Sequence, residues 1–164
     1  MIDTFRFAES QIVRPVIVAE HLGLIIDDGG RAAAGFKGKA GDCVTRAIAI
    51  ASGIPYIEVY NALDVLAEQE RPRGARRRSS ARTGVTRPTS AKYLRGLGAT
   101  WTPTMGIGTG CTVHLRRDEL PEEGRLVLSL SKHFAAYVDG VLHDTYDCSR
   151  RGTRCVYGYW TMPT

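Results

Sequence analysis

Three residues able to do nucleophilic acyl chemistry together stand out in this chain of 164 residues: Cys43, His133 and Asp144. Cys43 opens the run DCVTRAIAIASG, directly after the Gly- and Lys-rich stretch GRAAAGFKGKAG. A cysteine at a helix start meets the positive end of the helix dipole and unpaired backbone N–H groups. Both favour thiolate over thiol. The same N–H groups can hold the oxyanion of a tetrahedral intermediate. A lone cysteine in such a place is more often inert and buried, so a base must come from elsewhere.

The segment KHFAAYVDGVLHDTY supplies one. An Asp-Gly pair between alternating runs signals a two-residue hairpin turn. With Asp139-Gly140 as the turn, Val138 pairs with Val141, Tyr137 with Leu142, Ala136 with His143, Ala135 with Asp144 and His133 with Tyr146. Strand side chains alternate faces. His133, Ala135, Tyr137, Leu142, Asp144 and Tyr146 then share one face, with Phe134, Ala136, Val138, Val141, His143 and Thr145 on the other. His133 and Asp144 become diagonal neighbours, with Cα atoms roughly 7–8 Å apart. A nucleophilic thiol needs a base that takes its proton and returns it to the leaving group. That base needs a third group to fix its aim. A hydrogen bond that merely steadies a hairpin would account for the His133–Asp144 pairing equally well. His143 points the wrong way to serve as base.

These residues need elements to carry them. Val44, Ala47, Ile48 and Ala51 recur at helical spacing, with Asp42 as N-cap and Gly53 as stop. A second helix starts at Pro55 and runs to about Gln69 on the stripe Tyr56, Tyr60, Leu63, Ala67. A third runs from about Thr89 to Leu97, with Tyr93, Leu94 and Leu97 inward. FRF, IVRPVIV and LGLII read as short extended segments before the first helix. GRLVLSLS, the two hairpin arms and RCVYGYW read as strands. Helices followed by antiparallel strands argue an α+β fold in one domain spanning 1–164.

Hydrophobic content of 43% and charged content of 24% are ordinary for a globular protein. The net charge of +5 is local. The Arg-rich loop 71–87 holds seven arginines and no acid, and without it the balance turns negative. Such a cluster can bind nucleic acid or an acidic partner. The plain alternative is a solvated, mobile loop, because Gly, Ser and Pro interleave the arginines and no aromatic platform sits among them. The four cysteines form no CxxC pair, and the histidine spacing matches no zinc site. No metal or cofactor is expected. With no signal peptide and no run of about 18 apolar residues, a cytoplasmic location with free thiols is expected. A turn at Arg151-Gly152 would set Cys148 opposite Cys155, where oxidant could join them.

GDCVTRAIAIASG, followed by a strand and then SKHFAAYVDGVLHDTYD, resembles the papain-like cysteine peptidases of small microbial and phage type, with bacteriocin-processing double-glycine peptidases as distant relatives. The order and spacing agree over residues 35 to 160. The resemblance implies a papain-like fold, its helical half with the central Cys-bearing helix packed on an antiparallel β-sheet and the site between the halves. It implies Cys43 as nucleophile, His133 as general base and Asp144 as orienter, acting on a peptide or protein substrate. One feature departs from the pattern. Many such enzymes place a Gln shortly before the Cys as an oxyanion donor. GFKGKAGDC offers only Lys37 and Lys39, and losing one such donor costs on the order of 2.7–4 kcal/mol.

The remaining residues carry less. His21 and His114 read as surface or core-edge residues. Trp101 and Trp160 read mostly as core, with Tyr137 and Tyr146 candidates to line the site. GIGTG (106–110) lacks the ending of a phosphate loop and reads as a connector or a substrate-side loop. Nothing marks Cys111 as reactive. The leading expectation is a cysteine peptidase or amidase working through a Cys43 acyl-enzyme, with transglutaminase-like acyl transfer sharing the same logic. The alternative is a non-catalytic papain-fold module that docks nucleic acid or an acidic partner through the Arg-rich loop.

Overall fold

The computed structural model describes residues 22–71 and 78–164. FRF, IVRPVIV, His21, Arg73, Arg76 and Arg77 lie outside the described residues. The chain runs through β1 (Gly23–Ile26), α1 (Cys43–Ser52), α2 (Tyr56–Glu68), α3 (Arg87–Gly96), β2 (Thr100–Pro103), β3 (Arg125–Leu130), β4 (His133–Val138), β5 (Val141–Asp144) and β6 (Val156–Thr161). A short 3-10 turn, Arg117–Glu119, precedes β3. Among the described residues, three helices and a six-stranded sheet give an α+β architecture.

The sheet order is β1-β5-β4-β3-β6-β2. It is mixed rather than antiparallel throughout, because β1 pairs with β5 in parallel. The other pairs are antiparallel. The β4–β5 hairpin keeps the register set by Asp139-Gly140: Val138 opposite Val141, Tyr137 opposite Leu142, Ala136 opposite His143. The ladder ends there, so the Ala135–Asp144 and His133–Tyr146 pairs do not form. On its other edge β5 bonds to β1 along its whole length, from Gly23 opposite Val141 to Ile26 opposite Asp144.

Alternation along the strands makes two cores. Val127, Phe134, Ala136 and Trp160 face the helices and pack with Val44, Ala47, Ile48, Val59, Leu63 and Leu94. Leu126, Leu128, Leu130, Ala135, Tyr137 and Leu142 face the other way, against Leu115, Leu120 and Cys148. The helical layer therefore covers the sheet face opposite the one that carries Ala135, Tyr137 and Leu142. A bulge lies between β3 and β6: Ser129 pairs with Gly158 and Leu130 with Val156, leaving Tyr157 extra. It is why Val156 belongs to one core and Trp160 to the other.

Helix α1 ends as its sequence dictates. Gly53 takes a left-handed φ of 73°, and its N–H bonds Ala49 O. Its start differs from expectation, as the Asp42 side chain caps nothing. Pro55 stands just before α2 rather than within it, and α3 begins two residues before Thr89. Strand β2 has no strong sequence signal. It forms because Trp101 lies against Trp160 across the β2–β6 pair, ring centroids 5.1 Å apart. Among the described residues no helix is long and apolar enough to cross a membrane.

The described part of the Arg-rich segment is not a solvated loop. Ser80 and Gly84 exchange two backbone bonds of 2.9 Å. Ala81 between them is fully buried. Thr45 Oγ1 donates to Ala81 O, and Ala81 N donates to Asp64 Oδ1. Glu70 accepts from Ser79 N, Thr86 Oγ1 and Thr89 Oγ1. A short polar stretch replaces the missing apolar periodicity with specific bonds to α1, α2 and α3.

Candidate active site

Strand β4 begins at His133 and strand β5 ends at Asp144, so both sit at one end of the sheet. Their shared parity puts them on the face away from α1. The two-residue turn Ser131-Lys132, with Lys132 at φ 53°, launches β4 there. His133 Nε2 lies 2.5 Å from Asp144 Oδ2, and both residues are buried. With Nε2 given to Asp144, Nδ1 is the nitrogen left for a thiol. The Tyr146 ring stacks near the imidazole, centroids 5.5 Å apart.

Cys43 is the first residue of α1, and it reaches the same end of the sheet from the helical side. Cys43, His133 and Tyr146 line one cleft of about 620 Å³, with Gly41, Thr83–Val85, Arg87 and Lys132 on its walls. Burial pushes the Cys43 thiol up, but the His133 side chain, the Phe134 backbone N–H and the charges of His133 and Arg46 outweigh it. The net effect holds the thiol below its ordinary value. Burial pulls His133 down, yet bonds to Asp144, Cys148 and Cys43 raise it to about 11. Burial also acts against the Asp144 carboxylate, and the His133 bond and charge nevertheless lower it. Thiolate beside imidazolium is the charge state this arrangement favours.

The expected N-cap, Asp42, has a different role. It is buried, forms ion pairs with Arg31 Nε and Arg46 Nε at 3.1 Å each, and accepts a hydrogen bond from Tyr56 Oη at 2.7 Å. Arg46 continues to Thr145 Oγ1 at 2.7 Å, beside Asp144. Because no side chain caps α1, its first N–H groups stay available near the Cys43 sulfur. N–H groups in that position can receive a developing oxyanion. Lys37 and Lys39 are exposed and line no part of the cleft, and no Gln or Asn lines it either. Lys37 contributes its backbone carbonyl instead, accepting from Arg31 and Arg82.

Gly41 shapes the approach to Cys43. Its N–H bonds Arg82 O at 2.8 Å, and a Cβ there would sit 3.0 Å from Thr83 O. A side chain there would push the 82–84 segment back by a few tenths of an ångström.

Tyr137 does not line the site; it is fully buried in the second core. His143 bonds Asp27 at 3.1 Å on the helical side, away from the His133 pair. His114 sits at the edge of the second core and bonds Glu119.

The cysteines depart most from expectation. Cys111 and Cys155 form a disulfide with Cα atoms 5.7 Å apart, while Cys43 and Cys148 are free. The turn at Arg151-Gly152 forms, both residues at positive φ and Thr153 N bonded to Arg150 O, but Cys155 pairs with His114 rather than with Cys148. That pairing lays Cys155 beside the 111–114 stretch and Cys111, and a disulfide suits oxidising surroundings rather than four free thiols. Cys148 belongs to the site, and no spacing signal announced it. Its sulfur, the His133 ring nitrogen and an Asp144 oxygen all lie within 4.8 Å of one another. Three such ligands could surround a zinc ion. Metal binding, however, needs a neutral imidazole and an ionised thiol. Here His133 is held protonated, and burial pushes the Cys148 thiol up. A metal there would have to displace the protons of His133 and Cys148.

The chain matches no protein-family profile, no curated protein and no solved structure.

Proposed function

We propose that this protein is a thiol hydrolase of papain-like type, cleaving a peptide or amide bond through an acyl-enzyme on Cys43. One observation carries the reading: a helix-opening cysteine with a lowered thiol pKa shares a cleft with a histidine that is bonded to a buried aspartate.

The chemistry follows from that geometry. The Cys43 thiolate attacks the carbonyl carbon, and the carbonyl π electrons move to oxygen. The uncapped N–H groups of α1 receive that oxyanion. Collapse breaks the C–N bond, and the His133 imidazolium gives its proton to the departing amine. Neutral His133 then takes a proton from water as that water attacks the thioester. The acid leaves, and thiolate and imidazolium are restored. An amine in place of that water would give acyl transfer by the same steps.

The alternative is a binding module working through the Arg-rich loop. Its described arginines are partly engaged: Arg82 bonds Lys37 O, and Arg87 lies over the Tyr157 ring at 5.6 Å. The hydrolase reading is the better supported.

The test is the alkylation rate of Cys43 by iodoacetamide across pH, with sites assigned by mass spectrometry, in the parent and His133→Ala. Fast labelling of Cys43 below neutral pH, lost in His133→Ala, supports the reading. Cys43 labelling no faster than a model thiol would sink it.

A further inference from the structure

Resting on the hydrolase reading, we propose that the substrate is an acidic peptide segment bearing one large apolar side chain. Its carboxylates face Lys132 and Arg87, and its apolar side chain lies against Trp101 and Trp160.

The charge argument starts at the cleft wall. The charged side chains that line the Cys43 cleft beside His133 are Arg46, Arg87 and Lys132, with no carboxylate among them. Arg46 is balanced by Asp42. Among the described residues, Arg87 and Lys132 form no ion pair with any acid. Both are exposed. Two uncompensated cations in a concave site raise the local concentration of anions and repel cationic segments.

The apolar argument starts where Arg87 and Phe134 pass into a second cavity. They line both hollows, so the two form one continuous surface. The second hollow, about 530 Å³, is walled by Trp101, Trp160, Tyr157 and Met105. Arg95 stands over Trp160 at 5.4 Å, as Arg87 does over Tyr157 at 5.6 Å. A guanidinium laid on a ring keeps its N–H edge for a ligand. Ile107 at the rim is fully exposed and Trp101 is 37% exposed. Exposed apolar surface beside cations marks a binding site for an amphipathic partner. A nucleic acid offers anions too, but not the carbonyl that the neighbouring thiolate needs.

Binding can be read without turnover in the Cys43→Ala protein, by fluorescence anisotropy of a labelled glutamate-rich peptide with one central leucine. Two control peptides carry lysine for glutamate, or glycine for leucine. The first peptide should bind about tenfold tighter than either control. Lys132→Gln and Arg87→Gln should each weaken it about threefold, and added salt should weaken it further. Trp101→Ala should abolish the advantage of leucine. Ile107→Ser at the exposed rim asks the same question should Trp101→Ala not fold. Equal binding of the glutamate and lysine peptides, or indifference to both cation substitutions, overturns the proposal. So does tighter binding of a single-stranded RNA that the peptide cannot displace. Binding as described without thiol-dependent cleavage in the parent would overturn the hydrolase reading and leave the acidic-peptide site standing.

Discussion

The Asp144 carboxylate uses both oxygens: Oδ2 meets His133 Nε2 at 2.5 Å, and Oδ1 accepts the Thr145 N–H at 2.7 Å. Neither the ring nor the carboxylate is free to turn. Asp144→Asn keeps the shape and removes the charge. His133, raised to about 11 in the folded protein, should fall toward its ordinary value. Turnover should drop about 100-fold or more. Titration of the His133 ring by NMR, beside the rate, checks this. An unshifted ring in Asp144→Asn would remove Asp144 from the site's chemistry.

The same pair makes stability depend on pH. A histidine raised by folding stabilises the protein fully below its unfolded value, and the contribution is lost as pH rises through about 11. A lowered aspartate contributes above its unfolded value and loses that contribution as pH falls through the depressed one. The stability gap between the parent and Asp144→Asn should therefore be widest at mid pH and narrow toward both extremes. Urea midpoints across pH measure it. A gap flat with pH would contradict the charge assignment.

Cys148 is 1% exposed, and burial raises its thiol. Without denaturant, Cys43 should label quickly and Cys148 should not. The disulfide should leave Cys111 and Cys155 silent until a reductant is added. Opening that cross-link, which joins residues 44 apart, should cost about 2–4 kcal/mol. Thiol counts and urea midpoints for Cys111→Ser decide the matter. Four reactive thiols in the folded protein would refute the pairing.

Glu70 carries the local order of the 79–89 segment. Its carboxylate is partly opposed by burial, but bonds from Ser79, Thr89 and Thr86 lower it to about 2. Its contribution is present above its unfolded value and lost as pH falls through about 2. Glu70→Gln should flatten the acid limb of the stability profile and speed proteolysis between α2 and α3. A parent-like acid limb would show that these bonds do not hold the segment.

Gly158 lies under Trp101, where a Cβ would come within 2.3 Å of the indole and 2.8 Å of Thr102 O. Gly158→Ala must displace β2 and should cost about 1–3 kcal/mol. Thermal melts, with Trp101 fluorescence as reporter, test it. An unchanged melt would mean the β2–β6 pair yields easily.

The catalytic candidates were readable because strong local rules govern them. An Asp-Gly turn fixes register, and register fixes which side chains share a face. A glycine stop and apolar spacing place α1. What escaped depends on distant partners. The 78–86 segment needs no apolar periodicity because its hydrogen bonds to Asp64 and Glu70, and one from Thr45, hold it. The parallel β1–β5 pair joins segments far apart in the chain. The Cys111–Cys155 link follows from the pairing of His114 with Cys155, which joins stretches far apart in the chain. Sequence placed Asp42 at the helix start but could not foresee that Arg31, Arg46 and Tyr56 would claim its carboxylate.

The contact of Gly41 with Arg82 and Thr83 has a further meaning. One wall of the Cys43 cleft is made by a stretch that holds none of Cys43, His133 and Asp144. Insertions and exchanges between α2 and α3 can thus vary what the cleft admits while thiol, imidazole and carboxylate stay as they are. Part of what the proposed hydrolase would select is written on a length of chain separate from Cys43, His133 and Asp144, and it can diverge without them.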